Sequence, residues 1–263
     1  VKGGGTIVVA CVLALVACAP VETGVVSEAE ESGALSDTEP ESATIEPAPP
    51  VTDTVEESAV SFNVGLYSIE QADSLWVVVN KQRIYTPIDY APVDLVVPEV
   101  PFNNPPLLRE EAAQALESML HAAREADADF VIQSSYRSFV VQQRIKQRSI
   151  ERWGPEVSDG RSARAGHSEH QSGLAVDLTT KTGLCTLDPC FGQTSVGEWL
   201  AENSWRYGFI LRYLPGKTDI TGYIYEPWHF RYVGLELAEQ VYQRGYPTLE
   251  EFFGLPPAPN YLD

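Results

Sequence analysis

Apolar and polar positions fall into two blocks and then a series of short periodic runs. Ile7 to Ala17 is an unbroken apolar run of 11 residues. A helix that crosses a bilayer needs about 20 apolar residues. The run is therefore read as the apolar stretch of an export signal covering residues 1–17. From 18 to 60 the pattern is polar, rich in Pro, Ser, Thr and Ala, with no aromatic residue. Periodic order is expected from Ser61-Phe62 onward, giving a folded domain over 61–263.

Within that domain the pattern predicts a mixture of helices and strands. Ser74 to Asn80 is rich in β-branched residues and predicts a strand. Six prolines between Ile84 and Pro106 predict an irregular arm. Ala112, Leu116, Met119, Leu120 and Ala123 form a helical stripe within Leu107–Ala126. Phe130 to Gln133 reads as a short strand. Val140 to Trp153 reads as a second helix, with Arg, Gln and Lys on its outer face and Gly154-Pro155 as its stop. A Gly/Ser/Arg loop over 158–168 leads to the apolar run Leu174–Leu178. Gly192–Tyr207 reads as helix, Ile210–Leu214 and Gly222–Tyr225 as strands, and Leu235–Arg244 as a last helix. Helices come first and strands cluster later, which predicts an α+β domain with a small, mostly antiparallel sheet and flanking helices.

Charge sharpens the division. The formal net charge is −19, from 18 basic and 37 acidic residues. Eleven of the acidic residues lie between Ala19 and Val60, where there is no Lys or Arg. That segment cannot bury enough apolar surface to offset its ordering entropy, and its like charges repel, so 18–60 is read as an acidic, disordered linker. The rest of the chain is less acidic, at −9 over 61–263. Nucleic acid is not expected as a partner, because phosphate binding depends on Lys and Arg. A monomer is expected.

Four cysteines add to the picture. Leu15-Val16-Ala17-Cys18 resembles the lipobox of bacterial lipoproteins. The resemblance implies acylation of Cys18, a membrane anchor outside the cytoplasm and a domain facing the cell wall. Cys185 and Cys190 flank a turn-forming Asp-Pro and, in an exported protein, read as a local disulfide. Two thiols without a nearby spare His make a poor metal site by comparison.

The chemistry lies in two polar segments, Ser168-Glu-His170-Gln-Ser-Gly173-Leu-Ala-Val-Asp177 and Glu226-Pro-Trp-His229. His170, Asp177 and His229 supply two imidazoles and one carboxylate, the donor set of a catalytic zinc site that leaves a position for water. Gly173 allows a bend, after which Asp177 faces the metal while Leu174, Val176 and Leu178 face the core. A turn at Pro227 is expected to bring Glu226 beside the attacking water as general base. Arg137, in Ser134-Ser-Tyr-Arg-Ser138, offers a cation where negative charge develops. His121 reads as structural or surface. His167, three residues before His170, reads as a neighbour rather than a ligand.

At these residues a family resemblance becomes specific. Ser-x-His-x-x-Gly-x-Ala-x-Asp, Glu-Pro-Trp-His downstream and Tyr-Arg-Ser upstream together resemble the LAS-type zinc D-alanyl-D-alanine carboxypeptidases. Within them the chain is most similar to the VanY/DacB branch of peptidase family M15. The likeness runs from about Ser74 to Phe253 and includes Tyr207-Gly-Phe-Ile-Leu-Arg-Tyr213. It implies a LAS/hedgehog-like fold and one zinc ion on His170, Asp177 and His229, with Glu226 as base and Arg137 at the oxyanion or the substrate. It also implies Ser168 and Gln142 in the pocket for the C-terminal end of the peptide, and Trp228 in its wall. The implied activity is release of the terminal D-alanine from pentapeptide stems of peptidoglycan. L,D-carboxypeptidase action on tetrapeptide stems, or a wall-binding lipoprotein without turnover, are the alternatives.

Overall fold

The structure is a computed structural model and describes residues 62–245 and 248–262. The readings of a signal over 1–17, of acylation at Cys18 and of the linker over 18–60 lie outside those residues.

The proline-rich arm is irregular, as its composition predicts, except where β1 (Leu95–Val96) pairs antiparallel with β2 (Leu108–Arg109). The helical stripe is realised in α1 (Glu110–Glu125), where all five stripe residues are buried. Then follow β3 (Phe130–Ser134) and α2 (Phe139–Trp153), which ends at Gly154 with φ of 78°. A short helix, α3 (Pro155–Asp159), occupies the start of the expected loop. Beyond it come β4 (Ala175–Thr180), α4 (Ser195–Asn203), β5 (Phe209–Tyr213), α5 (Thr218–Thr221), β6 (Glu226–Tyr232), α6 (Leu235–Gln243) and α7 (Leu249–Phe252).

Strands β3, β4, β6 and β5 form one sheet in that order, every neighbouring pair antiparallel. The α+β expectation therefore holds. One core joins Leu116 and Met119 of α1 to Ile132, Val176, Leu178 and Phe230 of the sheet and to Leu200 and Leu237 of the later helices.

Three expected elements differ. Ser74–Asn80 joins no sheet: Trp76 to Val79 are buried as a turn and an extended segment, and the Trp76 indole N–H donates to Val233 O at 2.9 Å. Burial of the β-branched run replaces the ladder that its composition suggested. The strand expected at Gly222–Tyr225 starts later, at Glu226, because Gly222 sits in the left-handed region (φ 80°) and caps α5. The single helix expected over Gly192–Tyr207 is α4 flanked by two 3-10 turns.

Candidate active site

The sheet builds the site by alternation. Along β4, Val176 and Leu178 join the core, so Asp177 points to the opposite face. Along β6, Trp228 and Phe230 join the core, and His229 and Arg231 point away. Asp177 is the direct cross-strand partner of His229. Two side chains able to ligate a metal therefore face each other on neighbouring strands, where side chains meet. His170 comes from the 3-10 turn Glu169–Ser172, which Gly173 closes with φ of 69°. A side chain at Gly173 would meet Leu95 Cδ2 at 2.8 Å and Arg109 Cγ at 3.1 Å, so the turn closes there only with glycine. The bend read from the sequence is this turn.

Glu226 and His229 are three apart, which on a regular strand places them on opposite faces. The expected turn at Pro227 is absent, and both residues lie on β6. The pairing with β5 shifts between Leu211 and Tyr213, and the ladder with β4 begins only at His229, so Pro227 sits where the pairing is interrupted. Glu226 Oε2 comes within 3.9 Å of His229 Nδ1.

One donor atom from each of His170, Asp177 and His229 lies within 4.8 Å of the other two, and all three residues are buried. Hydrogen bonding fixes the tautomers. His170 Nδ1 is 2.7 Å from the carbonyl oxygen of Ser135, which can only accept, so Nδ1 carries the proton. Its Nε2 is buried with no hydrogen-bond partner. His229 Nε2 is 3.2 Å from Glu169 Oε2 and donates to it, which turns the Nδ1 lone pair toward Asp177 Oδ1, also at 3.2 Å. Two lone pairs facing each other need a cation or a proton between them. Without a metal, the Asp177 and Glu169 carboxylates outweigh burial and raise His229 to about 9. An orphaned imidazole nitrogen, a facing carboxylate and a second imidazole held by its far nitrogen make a zinc site with its outer carboxylate in place.

Burial lowers His170 to about 4, with Arg137 adding to the effect. Burial alone would raise Asp177, but the two imidazoles hold it well below the usual carboxylate range. Glu226 goes the other way. Burial pushes it up to about 8, His229 and Arg137 pull against that, and Asp177 adds to it. A dication in the trio would draw it back down.

The remaining predicted residues are placed as follows. Arg137 has its guanidinium 3.9 Å from Asp177 Oδ2 and its Nε buried without a partner. Ser168 is buried and lines a small cavity of about 40 Å³ with Arg137, His170, Tyr213, Glu226 and His229. Trp228 is both a core residue and a wall of the adjoining open cleft of about 760 Å³. Gln142, expected in the pocket, is buried and lines neither cavity. Its Nε2 donates to Ala163 O at 2.7 Å and its Oε1 has no partner. Cys185 and Cys190 are joined in a disulfide, and Thr186, Leu187 and Asp188 between them line the cleft. His167 binds Asn80 O and stacks edge-on to Tyr261, and His121 is exposed on α1. A groove of about 790 Å³ beside α2 contains none of the trio.

The family profile of VanY, D-alanyl-D-alanine carboxypeptidase, matches residues 105–235, which spans the trio, Arg137 and Glu226. The chain is 40% identical over 194 residues to the putative carboxypeptidase YodJ of Bacillus subtilis (strain 168), covering 72% of this chain and 70% of that one. It belongs to the VanY family.

Solved structures agree. A VanY D,D-pentapeptidase mutant from a VanB-type resistance cassette, in complex with Zn(II), is 33% identical with a TM-score of 0.55, over 67% of this chain and 97% of that one. The LdcB LD-carboxypeptidase is 39% identical with a TM-score of 0.65, over 70% and 87% of the two chains. This VanY-family chain is thus a metallocarboxypeptidase by descent and by its donor set.

The sequence reading missed the carboxylate behind the metal. Glu169 accepts from Arg212 Nε at 2.8 Å and Arg231 at 3.3 Å, besides His229. Arg212 in turn makes a two-pronged pair with Glu250, both bonds 2.8 Å. All four side chains are fully buried or nearly so. The signal was an arginine inside each of two apolar strands, Leu211-Arg-Tyr213 and Phe230-Arg-Tyr232, since an unpaired charge does not stay in a core.

Proposed function

We propose that the chain is a zinc-dependent D,D-carboxypeptidase that releases the terminal D-alanine from peptidoglycan stem peptides. The observation that carries this reading is the buried trio with the orphaned His170 Nε2, opening with Glu226 into a shared cavity system. His170, Asp177 and His229 would hold zinc, which lowers the pKa of water and polarises a carbonyl. Glu226 takes the proton of the attacking water and delivers it to the departing amine. Arg137, with a hydrogen-bonding nitrogen to spare, binds negative charge at the reacting end of the peptide. The small cavity beside Glu226 offers a place for the terminal residue, and the rest of the peptide leaves through the open cleft.

Likeness to the LdcB LD-carboxypeptidase supports a second reading, L,D-cleavage of tetrapeptide stems. One experiment separates the two. Defined pentapeptide and tetrapeptide stems are digested with and without chelator, and the products are weighed. D-Alanine from the pentapeptide alone, lost with chelator and restored by zinc, supports the D,D reading. Release from the tetrapeptide alone assigns L,D activity, and release from neither overturns both.

A lipid anchor at Cys18, with the acidic segment as spacer to a domain outside the cytoplasm, belongs to the same proposal. Palmitate labelling is expected to vanish in Cys18→Ser, and unchanged labelling rejects the anchor.

A further inference from the structure

The open cleft beyond the metal trio has one wall with a charge that the reaction does not use. Ile145, Arg148, Ser149 and Arg152 line it from α2. Their spacing of three, four and seven puts them on one helix face. Arg161 lines it from the loop after α3. The Trp153 indole underlies two of these arginines, with Arg152 at 4.6 Å and Arg161 at 5.4 Å from the ring. Among the described residues no carboxylate pairs with Arg148, Arg152 or Arg161, and all three are exposed. The buried arginines of the sheet differ: Arg212 and Arg231 are each paired with Glu169. The cleft's carboxylates are Asp177 and Glu226 at the reaction site and Asp188 on the disulfide loop, and the three unpaired guanidiniums along the α2 wall make that wall a site for an anionic ligand.

This step rests on the stem-peptide reading above. With the terminal residue in the small cavity, the N-terminal part of the peptide lies along the open cleft. Stem peptides carry carboxylates there, on the γ-linked glutamate and, where present, on diaminopimelate, and either can be amidated. We propose that Arg148, Arg152 and Arg161 form a subsite for these free carboxylates and that the enzyme discriminates acid from amidated stems. Arginine suits this role because its planar fork matches a carboxylate.

The test uses two pentapeptides that differ only in glutamate against its amide. For the native enzyme, kcat/KM is expected to be about tenfold higher on the acid, since three exposed ion pairs contribute about two- to threefold each. The preference is expected to reside in KM and to shrink as salt rises. Arg148→Gln/Arg152→Gln keeps good helix formers on an exposed face, so circular dichroism and zinc content should match the native protein. Its preference is expected to fall to within about twofold through loss on the acid. Arg148→Glu/Arg152→Glu should reverse the preference, since two repulsive pairs then outweigh Arg161. Equal rates of the native enzyme on both peptides overturn the subsite but leave the carboxypeptidase reading standing. An equal loss on both peptides in the double variant also overturns it. Release from neither peptide overturns the reading on which the subsite rests. Inhibition by poly(glycerol phosphate), without acid–amide discrimination, would assign the wall to a phosphodiester polymer instead.

Discussion

Two glutamates flank His229, and the fold drives them in opposite directions. Glu169 faces Nε2 at 3.2 Å, and Glu226 faces Nδ1 at 3.9 Å. Both are buried. Burial raises each carboxyl, but Arg212 and Arg231 overcome it at Glu169 and hold that group well below the usual range. At Glu226 burial wins and lifts the group to about 8. The residue type is the same, and the difference is whether a guanidinium is packed against it. A permanently charged carboxylate can hold an imidazole in one tautomer. A carboxyl without such a partner, drawn back down by a dication in the trio, can take up and release a proton. On the proposed mechanism the interior side of His229 serves position and the cleft side proton transfer.

The strongest way to break this contrast is Glu226→Gln. The substitution keeps the shape and removes the proposed base. Turnover is expected to fall about a thousandfold, while zinc content stays at one equivalent. The metal-free variant should melt no lower than the native protein near pH 8. A raised carboxyl resists ionisation in the folded state, so its charge costs stability above its unfolded value, and glutamine removes that cost. D-Alanine release at the native rate with zinc bound would show that the two glutamates do not divide the work in this way.

Glu169→Gln should show the converse pattern. It leaves Arg212 and Arg231 facing an amide in a dry interior, and loss of one partner of a buried ion pair costs about 3–5 kcal/mol. At about 2–4 °C per kcal/mol for a domain of this size, the melting temperature is expected to drop by roughly 10 °C. Zinc affinity should weaken about 10- to 100-fold, because His229 loses the acceptor that orients it. Competition with a chromophoric chelator measures the second effect and calorimetry the first. A loss of turnover with unchanged melting and metal binding would make Glu169 a second catalytic group and erase the contrast.

This division explains what was legible in the sequence. His170, Asp177, His229 and Glu226 sit in two short segments whose donor types state their chemistry. Ala112 to Ala123 and Leu174 to Leu178 carry periodicities that local backbone geometry converts directly into a helix and a strand. Glu169 was adjacent to a ligand and still passed over. Its partners Arg212 and Arg231 are 43 and 62 residues away, and only the sheet brings them together. Ser74 to Asn80 misled for a related reason. Val77, Val78 and Val79 are buried by tertiary packing, and β-branched composition reports burial as readily as it reports a ladder. Pro227 pointed to a turn, yet the interruption it causes lies in the pairing between strands and leaves β6 continuous.

The finest test concerns the far end of the interior chain of charges. Burial would raise Glu250, but Arg212, with a second hydrogen bond from Asn80, holds it below the usual carboxylate range. The sign follows from linkage. A group whose folded value is depressed contributes stability that is fully present above its unfolded value of about 4.3. That contribution is lost as pH falls through the folded value. In Glu250→Gln the variant should therefore melt furthest below the native protein at neutral pH. The gap should narrow steadily below about pH 4, because the native carboxylate is then being protonated too. Melting curves of the zinc-loaded proteins above pH 5, and of both metal-free proteins down to pH 3, measure the gap without metal loss entering the comparison. A constant gap across that range would mean that Glu250 contributes packing and not charge. The arginine side of the contrast would then end at Arg212 and Glu169.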